Sequence, residues 1–222
     1  MFTKYGRDVL FKYLVLVALL TAGVWLMVSS DTVRYVWSAA ALILSGLVLN
    51  FFRDPERVTP EGEDLVIAPA DGTVVLIKEL FEDEYLGGEA TQISIFMSPL
   101  NVHVNRFPIS GVIGHYRYIQ GEFIAAFEEK SSERNERTHI GVEDDGYRVL
   151  LRQIAGTIAR RIVADVALKQ RATRGERFGM IKFGSRLDVI LPRGSAIRVK
   201  LRDRVVAGET ILAGYGTARK GR

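Results

Sequence analysis

The sequence predicts an α+β protein: a membrane-associated helical hairpin followed by a mainly β domain. Two adjacent uncharged runs near the N-terminus, 13–30 and 35–52, predict the hairpin. After residue 60 no long helical period appears, and short apolar runs alternate with turn residues, which predicts strands. The texture changes at Arg53, so the expected domains are 1–52 and 53–222.

Each apolar run has 18 residues, near the lower limit for a spanning helix. That length leaves a spanning hairpin and a shallow, peripheral one both open. Only the segment from Asp31 to Arg34 separates the runs, which makes a tight helix–helix connection. Tyr13, Trp25, Tyr35 and Trp37 are candidates for interfacial depth. Lys4, Arg7 and Lys12 precede the first run, Arg53 and Arg57 follow the second, and the turn carries only Arg34 beside Asp31. The positive-inside bias therefore places both ends, and the domain that follows, on the cytoplasmic side of the cell membrane. A cleavable signal peptide is not expected, because a second apolar run follows at once and no small-residue cleavage site is clear.

In the second part Pro55 ends any helix. Strands are expected at 65–67, 73–77, 92–97 and 112–119, the last with Gly114 as a bulge. Residues 123–128 read as a short helix or loop, and the charged stretch 128–137 as an exposed loop. Asp144-Asp145-Gly146 is a hairpin turn signal. Strands 147–154 and 157–164 are expected to join across Gly156, and 187–191 and 196–201 across Pro192-Arg193-Gly194. A turn at 205–209 leads into 210–213, and the glycine-rich basic tail from 214 reads as frayed.

Composition excludes several functions. There is no cysteine, so disulfides, thiolate metal sites and cysteine nucleophiles are ruled out. The only histidines are His103, His115 and His139, and their spacing matches no metal motif. The net charge of +4 suits nucleic acid, anionic lipid or a phosphorylated substrate. No nucleic-acid-binding pattern is present, which leaves lipid and phosphate.

Six segments carry a family resemblance: FFRDPER at 51–57, PADGTV at 69–74, SPLNVHVNRFP at 98–108, NER at 135–137, QIAGTIARRI at 153–162 and RGERFGMIKFGS at 174–185. In this order they resemble the short bacterial type of phosphatidylserine decarboxylase, a self-cleaving enzyme with a pyruvoyl group. The resemblance implies cleavage between Gly184 and Ser185. The Ser185 hydroxyl attacks the Gly184 carbonyl, and glycine suits that position because it lacks a Cβ. β-Elimination then leaves dehydroalanine, and hydrolysis with loss of ammonia gives the pyruvoyl cofactor. Two chains, 1–184 and 185–222, are implied as a heterodimer. The ketone is expected to form a Schiff base with phosphatidylserine and to act as the electron sink for decarboxylation to phosphatidylethanolamine.

The resemblance also implies roles for Asp71 and His103, with His103 as base and proton donor and Asp71 orienting it. The longer branch of the family has a second histidine in this block. Aligned on Pro108, Arg106 stands there, so the base for self-cleavage is left open between His103 and another group. Arg106, Arg137, Arg160 and Arg161 are candidates to bind the lipid phosphate, since guanidinium meets phosphate bidentately. Phe107, Ile109, Phe123 and Phe127 suit either core or bilayer.

Two alternatives stand beside this reading. APADGTV, MIKF and RVVAGETILA echo the lipoyl/biotinyl β-sandwich, in which Lys182 would carry a prosthetic group on a non-enzymatic membrane carrier. A pyruvoyl enzyme acting on another serine lipid would share the same head-group chemistry.

Overall fold

The computed structural model describes residues 1–121, 135–156, 162–182 and 185–219. The chain divides into two compact units, 1–56 and 57–222.

The first unit is a helical hairpin, α1 (Arg7–Met27) and α2 (Asp31–Phe51). Each helix has 21 residues, longer than the uncharged runs because polar residues enter their first turns. At 1.5 Å per residue each reaches roughly 31 Å, enough to cross a hydrocarbon core. Both are apolar enough to do so. Most of their large side chains are exposed, so no soluble core explains their composition. The tryptophans satisfy their indole N–H groups within the hairpin: Trp25 donates to Ser38 Oγ at 3.1 Å and Trp37 to Thr21 Oγ1 at 3.1 Å. Phe2 bridges to Arg53, and the Thr3 amide donates to the Phe52 carbonyl, which ties the two ends of the unit together.

The second unit is mainly β. Its strands among the described residues are β1 (Leu65–Ile67), β2 (Gly72–Glu82), β3 (Gly88–Met97), β4 (Val104–Arg106), β5 (Gly111–Ile119), β6 (Arg137–Asp144) and β7 (Tyr147–Ala155), then β8 (Ile162–Ala164), β9 (Arg171–Ala172), β10 (Arg177–Ile181), β11 (Ser185–Pro192), β12 (Ala196–Ile197), β13 (Arg204–Val205) and β14 (Ile211–Gly214). An antiparallel eight-stranded sheet runs β13-β2-β3-β11-β7-β6-β5-β9, and it curls around the main core. Two three-stranded sheets, β1-β14-β12 and β4-β10-β8, complete the domain.

β11 lies in the middle of the large sheet, paired from Ser185 onward with β3 on one side and β7 on the other. Leu187, Val189 and Leu191 enter the main core, and Ile190 joins Ala90 and Leu150 on the opposite face. Arg186 and Asp188 also sit on that opposite face, fully buried. They make a two-point ion pair (2.7 and 3.0 Å), and Gln92 donates to Asp188 at 3.1 Å. This pairing lets a strand begin at polar Ser185-Arg186, two residues before the apolar run announces it.

The β2–β3 turn arches over the sheet. Glu82 accepts from the amides of Glu84, Tyr85 and Leu86, and Arg152 caps the same carboxylate at 2.9 Å. Tyr85 lies over Gly114 and Gly141, where an added Cβ would strike its ring. Gly114 is the expected bulge, at a register shift between Ile113 and His115.

Several expectations are corrected. Strand 157–164 does not return along β7: its described part, β8, pairs with β10 in another sheet. The expected 196–201 strand shortens to β12, which pairs with β14 rather than with β11. The charged stretch expected as an exposed loop ends buried, since Asn135 and Glu136 lie inside the domain and β6 begins at Arg137. The tail is not frayed at its start: Tyr215 is buried, stacks on Tyr147 at 3.8 Å and donates to Asp144 at 2.8 Å. A short 3-10 turn, Gly216–Arg219, follows it. The expected element at 123–128 lies outside the described residues.

Candidate active site

Ser185 opens β11 and is fully buried. Its backbone stands between Met97, the last residue of β3, and Ala155, the last of β7. Its hydroxyl donates to the Met97 sulfur at 3.3 Å. A thioether is a weak acceptor, so this bond by itself activates the hydroxyl little. The Ala155 carbonyl accepts from the Asn135 side-chain amide at 2.6 Å, which pins β7 where it meets the serine.

His103 lies in the connection between β3 and β4, fully buried. Its carbonyl accepts from the Ile181 amide at 3.4 Å, which ties it to the end of β10, four residues ahead of Ser185. Its Nδ1 lies 2.9 Å from the Asn101 carbonyl. A carbonyl only accepts, so Nδ1 carries a proton, and in the neutral ring Nε2 is then the basic nitrogen. The Ser98–Asn101 turn holds the ring through the Asn101 side chain, which accepts from the Ser98 amide at 2.9 Å.

Asp71 occupies a neighbouring corner, just ahead of β2. Its carboxylate takes both oxygens to Arg57 Nη2, at 3.2 and 2.9 Å, and accepts from the Ala207 amide at 2.8 Å. Among the described residues its hydrogen bonds go to these groups and not to His103. Arg106 is buried beside it: Nη1 donates to the Gly175 carbonyl at 2.8 Å, and its methylene chain packs on Gly208 next to Arg57. Arg106 therefore stands among Arg57, Asp71 and Gly208, while His103 is tied to Ile181 at the end of β10 and Ser185 opens β11. Arg137 is half-buried at the start of β6 and donates to the Asn135 carbonyl at 3.1 Å. Gly184, Arg160 and Arg161, with Phe123 and Phe127, lie outside the described residues. Phe107 and Ile109 are core, Phe107 stacking on Phe178 at 4.8 Å.

A polar chain runs into the site from the inner face of the sheet. Thr138 Oγ1 donates to Gln153 Oε1 at 2.7 Å, and Gln153 Nε2 donates to Asn105 Oδ1 at 2.8 Å. Asn105 Nδ2 then faces the Met97 sulfur at 3.9 Å. All three side chains are buried. Arg57, Asn105 and Asn135 fall inside the motifs 51–57, 98–108 and 135–137, but sequence reasoning gives Arg57 and Asn105 no site role and leaves Asn135 in a loop. Their motif positions are the only signal.

His115 and His139 are joined by Glu84, at 3.0 Å and 2.6 Å. They fasten the β2–β3 turn to β5 and β6. Burial, with Arg152 adding to it, pushes the His139 pKa down to about 4 against the pull of Glu84. His139 is therefore a neutral donor at neutral pH. Among the described residues no cluster of histidine and acidic side chains is arranged to hold a metal ion.

The chain thus carries two membrane-length helices and a mainly β domain that fully buries a strand-start serine and a histidine. The chain matches the phosphatidylserine decarboxylase family model over residues 44–213 and belongs to that family. It is 46% identical over 217 residues to the phosphatidylserine decarboxylase proenzyme of Chlorobium phaeovibrioides, covering 98% of each chain. It is 45% identical over 214 residues to that of Chlorobium luteolum, covering 96% of this chain and 99% of the relative. It is 46% identical over 208 residues to that of Amoebophilus asiaticus, covering 93% and 91%.

Proposed function

We propose that the protein is a phosphatidylserine decarboxylase that makes its own pyruvoyl group from Ser185 and releases phosphatidylethanolamine at the cell membrane. The observation that carries this is Ser185 itself: buried at the first position of the central strand, with its hydroxyl on a weak acceptor and His103 tied four residues upstream. The name proenzyme on relatives matched along nearly their full length agrees with self-cleavage.

The surroundings fit the group. It is built from Ser185's own atoms, and the Met97 sulfur and the Ala155 backbone that border the serine offer no ionised partner to it. Such a group would supply an electrophilic ketone for the substrate amine and a sink for the electrons of decarboxylation. The chain's residues do the rest. His103 Nε2 accepts and returns protons in a water-poor pocket. Strands β3 and β7 hold the Ser185 end of β11, so that chains 1–184 and 185–222 stay together as a heterodimer after cleavage. Asp71 is fixed by Arg57 and the Ala207 amide, so on this reading its part in the reaction does not run through a hydrogen bond to His103. Arg106 and Arg137 are the described candidates for the lipid phosphate, with Arg160 and Arg161 as the other two in the sequence.

The catalytic domain is read on the cytoplasmic side, from the charges that flank the helices. Two of the three segments that echo a lipoyl domain, APADGTV and RVVAGETILA, do lie together: the Ala68 amide donates to the Thr210 carbonyl, and the Gly208 amide to the Ala68 carbonyl. Lys182, however, is buried, which argues against a carrier that must present it.

Intact-mass measurement of the purified protein tests the reading. Two fragments are expected, with 185–222 carrying a pyruvoyl group in place of its amine, and Ser185→Ala should stay in one piece. A single unprocessed wild-type chain, active or not, would refute it.

A further inference from the structure

We infer that Asn105 is a processing residue, whose side-chain amide donates to Ser185 Oγ as that oxygen leaves Cβ in the elimination step. The inference rests on the pyruvoyl reading above. Asn105 sits on β4 opposite Gly179 of β10, fully buried. Its oxygen is taken by Gln153, whose own oxygen is taken by Thr138. This relay turns the amino group toward the reaction centre. The opposite orientation would set an amide oxygen against the sulfur lone pairs. Among the described residues the side-chain amino group meets only the Met97 sulfur, at 3.9 Å, and the same sulfur takes the Ser185 hydroxyl at 3.3 Å.

Two strong N–H donors held in a dry site with one distant thioether for company are costly to keep. The arrangement makes sense if their acceptor arises during the reaction. In the ester formed by the acyl shift, a base takes the α-proton of Ser185, His103 on our reading. The C–H electron pair becomes the Cα=Cβ bond, and the Cβ–Oγ bond breaks with its electrons on Oγ. That oxygen leaves as the second oxygen of the Gly184 carboxylate, and an Asn105 N–H meets the charge it gains. No other reactant is needed. Met97, unbranched and thioether-tipped, is the side chain best able to shift aside between the two groups. A single donor aimed at developing oxygen charge is typically worth about 10²–10³ in rate.

The test uses the full-length protein in detergent, followed by intact mass with and without hydroxylamine, which cleaves esters but not amides. Asn105→Leu and the same-sized Asn105→Asp, which keeps an acceptor for Gln153 but has no N–H, should slow pyruvoyl formation by about 10²-fold or more. Both should accumulate a full-length ester. Hydroxylamine should then release 185–222 with an intact N-terminal serine. Thr138→Val, which loosens the relay one step further out, should lower the melting temperature but still process. The inference is overturned if either Asn105 variant forms pyruvoyl at the wild-type rate, if its uncleaved chain resists hydroxylamine, or if Thr138→Val stalls to the same degree. A processed wild type alongside normally processed Asn105 variants would sink this inference alone. An unprocessed wild type would remove the pyruvoyl reading with it.

Discussion

Acid is expected to loosen the β2–β3 turn through His139. The ring is buried between β5, β7 and the turn, where Glu84, His115, Arg152 and Arg137 are the ionisable groups around it. Its pKa falls from 6.5 to about 4, first through burial and then through Arg152. A lowered histidine pKa means that the unfolded chain binds a proton the folded chain refuses. Above about pH 6.5 the group is neutral in both states and has no effect. As pH falls from there to 4, each unit removes about 1.4 kcal/mol, so the whole window is worth about 3 kcal/mol. Glu84 acts in the same direction. Burial raises its pKa, but the two histidines bring it below the ordinary 4.5, so its contribution is present above 4.5 and lost at lower pH. For a chain of this size 3 kcal/mol corresponds to roughly 6–12 °C in melting temperature. The assay is thermal unfolding of the detergent-solubilised protein from pH 7.5 to 4.0, with His139→Asn as comparator. Asparagine places an N–H where Nδ1 stands and does not titrate. The wild type should lose about 6–12 °C more than the variant across the window. Parallel curves between pH 6.5 and 4 would refute the reasoning.

Two further outcomes follow from packing. Gly72→Ala would put a Cβ 2.2 Å from the Phe96 carbonyl oxygen and 2.8 Å from the Ile95 side chain, with β13 closing the other side. A loss of about 3 kcal/mol is expected, read as the shift of a urea unfolding midpoint, and an unchanged midpoint would contradict so close an approach of β2 to β3. Asp188→Leu should cost about 3–5 kcal/mol by removing the two-point ion pair from the buried Arg186, and Arg186→Met/Asp188→Leu should recover most of it. A double variant no better than the single would show that Arg186 is not held chiefly by Asp188.

Much of the fold is legible because local chemistry dictates it. Charge exclusion over a membrane's thickness marks the two helices. Asp144-Asp145-Gly146 marks a turn because Asp145 and Gly146 adopt positive φ there, at 45° and 83°. Gly114 marks a bulge because Tyr85 needs the space a side chain would fill. Partnership between strands is harder to read. β7 and β8, and β11 and β12, are neighbours in sequence yet go to different sheets, and nothing within either pair encodes this. The tail escapes a sequence reading for the same reason. Glycine and charge suggest fraying, while Tyr215 is held by Tyr147 and Asp144, residues about 70 positions away.

The sequence by itself determined that the chain carries a membrane-length hairpin and a β domain, that cysteine chemistry is excluded, and which motifs bear on the reaction. These follow from composition, periodicity and residue type, which act over a few residues. Only the tertiary structure decided who meets whom. It gave Asp71 to Arg57 and the Ala207 amide, set Arg106 in that same corner, and brought Asn105 and Ser185 to one sulfur. Hydrogen bonds and ion pairs form between atoms within about 3 Å, and which atoms come that close depends on strand order and register, properties of the whole sheet rather than of any one segment.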